Sequence, residues 1–173
     1  GGEPFLRKDL VDAIAHATQS GIRTHVITNG AALTPAKIEG AVRAGLTSVD
    51  VSVDGPEQTH DDIRRRKGMY RRIDANLAAL RAARAALGRD DPGITLCCTV
   101  SRANQDALVE VVELAAKHGA GCSFGPMFYT TSNGPSGDGA AGAKPEDQHV
   151  SDRLRRVTPA LLLKELDRAQ ARA

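Results

Sequence analysis

An α/β fold with a parallel sheet is what this sequence predicts, with helices on one side of the strands only. Strand-like and helix-like segments alternate along the chain, joined mostly by short linkers. That is the grammar of βα units, whose crossovers pack helices onto a parallel sheet. The strands also alternate apolar with small polar residues, where a sheet covered on both faces reads as a continuous apolar run. Each strand therefore has one face for helices and one for something polar.

The elements follow in order. Leu10, Ile14 and Ala17 lie at helical spacing, and Gly21 stops that helix. "RTHVITNG" is a strand closed by an Asn-Gly turn. Thr34 and Pro35 open the next helix as N-cap and first-turn proline, with Ile38 and Val42 on its inner face. Residues 46–53 form a strand in which Val49, Val51 and Val53 share one face, and Ser48, Asp50, Ser52 and then Asp54 share the other. A cationic loop, Arg64 to Lys67, follows. Ile73, Leu77 and Leu80 mark a helix ending near Gly88, and "ITLCCTV" is the third strand. Asn104 is read as the cap of a helix carrying Leu108, Val111, Val112 and Ala115, which Gly119 ends. "GCSFGPM" is the fourth strand. Residues 131–147 are rich in Gly, Pro and Ser and are expected to be mobile. Thr158-Pro159 starts a last helix with Leu162, Leu166 and Ala169 on one side.

In the third strand Ile94, Leu96, Cys98 and Val100 oppose Thr95, Cys97, Thr99 and Ser101. In the fourth, Cys122 and Phe124 oppose Ser123, Gly125 and Met127. Either the polar faces line a concave interior holding a polar ligand, or they are partly solvated. Ligands of βα folds bind at the carboxyl ends of the strands. There the chain places Gly1-Gly2-Glu3, Thr28-Asn29-Gly30, Ser52-Val53-Asp54-Gly55 and Gly125-Pro126-Met127. Glycines admit close backbone approach, strand-end carbonyls can receive an ammonium group, and an Arg can grip a carboxylate. A zwitterionic amino-acid ligand fits that combination.

Composition narrows the classes. A net charge of +2, 3% aromatic residues and no Trp argue against nucleic acid. No apolar run approaches the ~20 residues of a membrane span, and no signal peptide opens the chain, so a cytoplasmic protein is expected. Cys97, Cys98 and Cys122 make no disulfide framework, and adjacent thiols on opposite strand faces share no metal easily, so they are read as buried small apolar residues. His16, His25, His60, His118 and His149 show no ligand spacing. The run Arg64-Arg65-Arg66-Lys67 is read as a solvated loop face with Arg64 as a candidate ligand contact. Asp54 could orient Arg64, face a substrate, or simply turn the chain with Gly55.

The four strand-end segments together resemble the radical S-adenosylmethionine superfamily, in the branch of peptide-maturing (SPASM-type) enzymes and the molybdopterin-precursor cyclase. The resemblance covers residues 1 to about 128. It implies a partial (β/α)6 TIM-like barrel, parallel strands with helices on the outer face, running from the end of the second barrel strand to the sixth. "GGEP" resembles the glycine-rich motif whose backbone holds the cofactor's amino group, which implicates Gly1, Gly2 and Glu3. "ITNG" resembles the end of barrel strand three and implicates Asn29; "VSVDGP" resembles the end of strand four. In many members a Ser there and an Arg twelve residues later contact the cofactor, and here they are Ser52 and Arg64. Met127 aligns with a strand-six Met that contacts it in the cyclase.

The implied domains are a partial-barrel core at 1–128, a Gly/Pro-rich loop at 129–157 and a C-terminal helix at 158–173. The implied cofactors are S-adenosylmethionine and a [4Fe-4S] cluster held by Cys-x3-Cys-x2-Cys upstream of "GGEP". No cysteine here has that spacing, and the chain starts without Met directly before a helix, so a fragment with its cluster ligands outside this chain is expected. The implied activity is hydrogen abstraction by a 5′-deoxyadenosyl radical from a substrate that could be a peptide; no catalytic residue is named. A cluster-less binding module and an unrelated parallel α/β barrel enzyme, for example a phosphate-binding one, are the alternatives.

Overall fold

The computed structural model describes residues 2–126 and 159–172. A 3-10 turn at Pro4–Leu6 precedes α1 (Leu10–Gln19), β1 (His25–Thr28), α2 (Pro35–Ala44) and β2 (Ser48–Ser52). Two helices come next, α3 (Glu57–Arg64) and α4 (Met69–Ala86), then β3 (Gly93–Val100), α5 (Leu108–His118), β4 (Gly121–Pro126) and α6 (Pro159–Gln170). The four strands lie in chain order β1-β2-β3-β4. All three pairings are parallel, with Thr28 level with Val51 and Ser52 level with Cys97.

The two faces of the sheet differ as the alternation predicts. Val26, Val49, Val51, Ile94, Leu96, Cys98 and Val100 are buried in one core with Ile38 of α2, Ile73 and Leu77 of α4, and Leu108 and Val111 of α5. Burying one such side chain fully stabilises the fold by about 1.5–3 kcal/mol, so this face decides the register. The opposite face carries His25, Ile27, Asp50, Ser52, Cys97 and Thr99, none of them buried, and Ile27 is 59% exposed.

Most helix boundaries have the expected causes. Thr34 Oγ1 accepts the Lys37 N–H at 3.4 Å, capping α2. Gly119 sits in the left-handed region at φ 60° and closes α5. Gly30 has φ +76°, and a Cβ there would meet Ile73 Cγ1 at 2.8 Å, so the turn after β1 needs glycine both for its backbone and for α4's approach.

Three readings need correction. The stretch after β2 begins as helix α3, and Arg64 is its last residue. Its buried residues are His60 and Asp61, so its inner face is polar and carries no apolar stripe. Asp54 is 2% exposed, not on the polar face, because β2 ends at Ser52 and the strand alternation ends with it. Asn104 does not cap α5, whose N-cap is Ala107. Its amide instead closes the turn before the helix, as described below. One of α5's first N–H groups, that of Val109, donates to the buried carboxylate of Glu165 at 3.3 Å, and Ala169 packs beside Val109 and Val112. So α6 supplies part of the missing cap. The stretch 131–147 and the 129–157 loop lie outside the described residues.

Candidate functional site

The carboxyl end of β1 is tied to the chain's start by one side chain. Glu3 accepts from Thr28 Oγ1 at 2.6 Å, from the Asn29 N–H at 2.8 Å and from the Phe5 N–H at 3.1 Å. Its carboxylate thus takes three protein donors, two at Oε1 and one at Oε2, and the Gly2-Glu3 backbone is held beside the strand end. Asn29 Oδ1 accepts the Ala31 N–H at 2.8 Å, forming the turn that the Asn-Gly pair announces. Gly2 is exposed, with space for a Cβ around it. Gly1 and Met127 lie outside the described residues.

Beside it, the carboxyl end of β2 is organised around Asp54. Its N–H donates to His60 Nδ1 at 3.0 Å. Its carbonyl accepts from Asn104 Nδ2 at 3.0 Å, and Oδ1 accepts the Thr99 N–H at 3.4 Å. Arg64 Nε donates to Oδ2 at 2.5 Å. Asn104 is itself fully buried; its Oδ1 accepts from the Ser101 N–H at 2.7 Å and its Nδ2 also donates to the Thr99 carbonyl at 3.0 Å. Gly55 follows at φ +136°, with a Cβ position 3.0 Å from Thr59, where only glycine fits comfortably.

The electrostatics of this end follow from burial. The Asp54 carboxylate is 3% exposed and the Arg64 side chain 33%, so one charge is inside and its partner reaches solvent. Arg64's two Nη groups have no hydrogen-bond partner among the described residues. His60 is fully buried, and burial pushes its pKa down, with Asp54 acting against and Arg64 with that shift. Its Nδ1 accepts the Asp54 N–H, so the ring is neutral with its proton on Nε2. That Nε2 is buried without a partner among the described residues, and Tyr70 lies edge-on at 6.3 Å between centroids. Asp61 accepts from the Gly68 and Tyr70 N–H groups. Burial raises its pKa, but the backbone bonds outweigh it and hold the carboxyl low. The turn Arg65–Gly68, in which Arg65 has φ 51°, is fixed by that side chain.

Ser52 is the last residue of β2, half-buried, on the face of Asp50 and Cys97, and its hydroxyl has no partner among the described residues. Thr28 is level with Val51, so the next residue on each strand is Asn29 and Ser52 respectively. The expected residues therefore gather at neighbouring strand ends, with Glu3 and Asn29 joined on one and Arg64 returned by Asp54 to the other. What the sequence reading missed is the holding set: Asp54's burial, His60 and Asn104. A hint was present in His60, six residues after Asp54 and polar in a segment with few apolar neighbours.

The cysteines lie on both sides of the sheet. Cys98 is in the core and its thiol is pushed up to about 12 by burial and by Asp54. Cys97 is on the open face, pushed up to about 11 by burial and by Asp50. Cys122 is also raised by burial. Burial thus disfavours the thiolate at all three, the opposite of what an activated cysteine shows. Among the described residues no group of three His, Cys, Asp or Glu could hold a metal ion. His25 pairs with Asp50 at 3.1 Å and His118 with Asp74 at 2.6 Å; His16 lies in the last turn of α1, and His149 is outside the described residues. Arg65, Arg66 and Lys67 are exposed, and no described helix is long and apolar enough to cross a membrane.

The model of the radical SAM superfamily matches residues 1–88, just over half of the 173. The chain belongs to the radical SAM superfamily. That match includes both strand ends and Arg64. An AdoMet-dependent heme synthase of Methanosarcina barkeri is 32% identical over 139 residues, 80% of this chain and 38% of that protein. A PqqA peptide cyclase of Methylocella silvestris is 34% identical over 121 residues, 69% of this chain and 31% of that one. The chain thus spans about a third of the length of these relatives. Among solved structures, Streptococcus suis SuiB bound to S-adenosylmethionine has a TM-score of 0.69 at 11% identity, covering 99% of this chain and 36% of that one. Escherichia coli coproporphyrinogen III oxidase, HemN, has a TM-score of 0.63 at 12% identity, covering 99% and 38%. The four-stranded sheet with its helices is part of a TIM-like barrel of this kind. The superfamily's cofactors are S-adenosylmethionine and a [4Fe-4S] cluster. The described residues fit the first, with a free hydroxyl and two free Nη groups at adjoining strand ends. They offer no ligand set for the second.

Proposed function

We propose that this chain is the cofactor-binding part of a radical SAM enzyme acting on a peptide in the cytoplasm. When bound to a cluster, S-adenosylmethionine supplies the 5′-deoxyadenosyl radical that takes hydrogen from a substrate. The residues of this chain bind and orient it. In this reading the Gly1-Gly2-Glu3 backbone and the Asn29 turn receive the ammonium group, while the Ser52 hydroxyl and the Arg64 guanidinium take the carboxylate. Met127 stands as a further contact by resemblance. The cluster ligands are proposed to lie in sequence outside this chain.

The observation that carries the reading is Arg64, held at one nitrogen by Asp54 at the carboxyl end of the sheet, with its other two nitrogens unbonded among the described residues. A peptide as substrate is supported by the PqqA peptide cyclase relatives and by the fold shared with SuiB, which was also solved with its precursor peptide SuiA. The test uses the full-length protein, reconstituted anaerobically with iron and sulfide and given S-adenosylmethionine and a reductant. Release of 5′-deoxyadenosine is the expected result, and deuterium should pass into it from a deuterated peptide substrate. A full-length protein that carries a cluster yet neither binds nor cleaves S-adenosylmethionine would overturn the proposal.

A further inference from the structure

Asp54 is constrained through its N–H, its carbonyl and both carboxylate oxygens, each by a different part of the fold. α3 holds its N–H through His60, the turn after β3 holds its carbonyl through Asn104, and the end of β3 holds Oδ1 through the Thr99 N–H. The remaining oxygen takes Arg64 Nε. A bare surface arginine has several rotatable bonds and samples many positions, whereas this one is anchored at Nε to a buried, immobile carboxylate. The guanidinium is then restrained in position, because the bond at Nε holds the near end of the group from which both Nη atoms project. Salt pairing alone would not need the Asp54 backbone to be gripped by His60 and Asn104 as well.

We infer that Asp54 is the positioning residue of Arg64, a fixed acceptor that aims the two Nη groups at the carboxylate of a bound amino-acid-type ligand. This rests on the proposed cofactor-binding reading and adds a division of labour to it. Arg64 touches the ligand; Asp54 acts through Arg64. Two consequences distinguish this from a structural role for Asp54. Its effect on binding exists only while Arg64 is present, and only for a ligand with a carboxylate. Charge also works in the opposite direction: removing the Asp54 charge makes the site more cationic, which by attraction alone would strengthen anion binding.

The experiment is calorimetric titration of the reconstituted full-length protein with S-adenosylmethionine and with its decarboxylated analogue. Asp54→Asn keeps the shape and an acceptor for the Thr99 N–H, and is expected to weaken S-adenosylmethionine about tenfold, since a charge-assisted bond loses its geometry. The decarboxylated analogue should bind Asp54→Asn and wild type alike. In an Arg64→Ala background, Asp54→Asn should change nothing further. Arg64→Lys, which leaves the Asp54 hub untouched, serves if Asp54→Asn folds poorly. Its ammonium can donate to more than one oxygen but lacks the separated Nη pair, so it cannot stay on Asp54 and also grip a ligand carboxylate bidentately; a loss of about tenfold or more is expected. Wild-type affinity in Arg64→Lys, or an Asp54→Asn loss that is equal for both ligands or persists without Arg64, would overturn the inference while leaving the binding reading standing. No loss on Arg64→Ala would overturn both.

Discussion

At the end of β1 a carboxylate, Glu3, accepts three donors that all belong to the fold: a hydroxyl and two backbone N–H groups. At the end of β2 a carboxylate, Asp54, accepts one backbone N–H and a guanidinium that still has two nitrogens to offer. Both acids sit at carboxyl ends of adjacent strands in a fold that binds ligands there. The first is closed by its partners and so fastens the chain's start to the sheet. The second is bonded to a group that faces onward, and so passes its rigidity to a neighbour. A hydrogen-bonded acid at a strand end is therefore not a functional sign in itself; what its partner has left over decides.

If that contrast is right, damage at the two ends should appear in different measurements. Glu3→Ala has the largest expected effect, and on stability. It leaves the buried Thr28 hydroxyl and two N–H groups without their acceptor, and charged hydrogen bonds are worth about 1.5–3 kcal/mol each. Allowing for partial rescue by water, a loss of about 3 kcal/mol in urea denaturation is expected. A change in S-adenosylmethionine affinity with stability intact would reverse the assignment of Glu3.

Arg64→Ala comes next and should register on binding. On the proposed reading, in which Arg64 pairs with the cofactor carboxylate, its removal predicts an affinity about 10- to 100-fold lower by calorimetry, since each 1.4 kcal/mol is tenfold. Stability should fall as well, because the Asp54 carboxylate, 3% exposed, then keeps only the Thr99 N–H as a donor, so the titration is read on protein checked to be folded. Equal affinities for Arg64→Ala and wild type, with Arg66→Ala as the exposed control, would mean that the twelve-residue spacing from Ser52 carries no function.

Much of this was readable beforehand, for reasons particular to each element. β1 to β4 declare themselves because alternation has a period of two and glycines mark the turns, which are local properties. Ser52 and Arg64 are paired only through the family resemblance; the structure ties Arg64 to Asp54 at the end of β2, and their role as ligand contacts stands as a proposal. The α3 helix was not readable, because its buried face is His60 and Asp61, and hydrophobic periodicity is blind to a polar inner face. Asp54 was misplaced because strand alternation was extended two residues past Ser52, where the chain had already turned. Glu165 shows the same blindness: it falls among Leu162, Leu166 and Ala169 at helical spacing, yet is buried to meet an N–H of α5. Tertiary partners, not local pattern, decide where an isolated polar residue goes.

The His60 ring gives the comparison a pH coordinate, since it belongs to the Asp54 end alone. Its folded pKa lies below the unfolded value of about 6.5 because burial disfavours the cation. The stabilisation is thus complete above about pH 6.5 and is lost as pH falls from there through the folded pKa, at no more than ~1.4 kcal/mol per pH unit. His60→Gln keeps an acceptor for the Asp54 N–H and does not titrate. Its stability profile between about pH 6.5 and 5 should be flatter than that of wild type. Parallel profiles would show that His60 is not the titrating group.

Ser52→Ala has the smallest expected effect and gives the finest test, because Ser52, the last residue of β2, follows the residue level with Thr28 of β1 and so adjoins both ends. Its hydroxyl bonds to no described residue, so the fold should not notice its loss. On the proposed reading its neutral hydrogen bond to the cofactor contributes about 1 kcal/mol net, so its loss predicts an affinity roughly fivefold lower. The loss should also be additive with Glu3→Ala, which acts on the other strand end through the fold, and partly non-additive with Arg64→Ala, since both are assigned to one carboxylate. A double-mutant cycle by calorimetry separates the cases. Full additivity with Arg64→Ala would place the Ser52 hydroxyl on a different part of the ligand, and a fall in stability for Ser52→Ala alone would make it part of the sheet's own bonding.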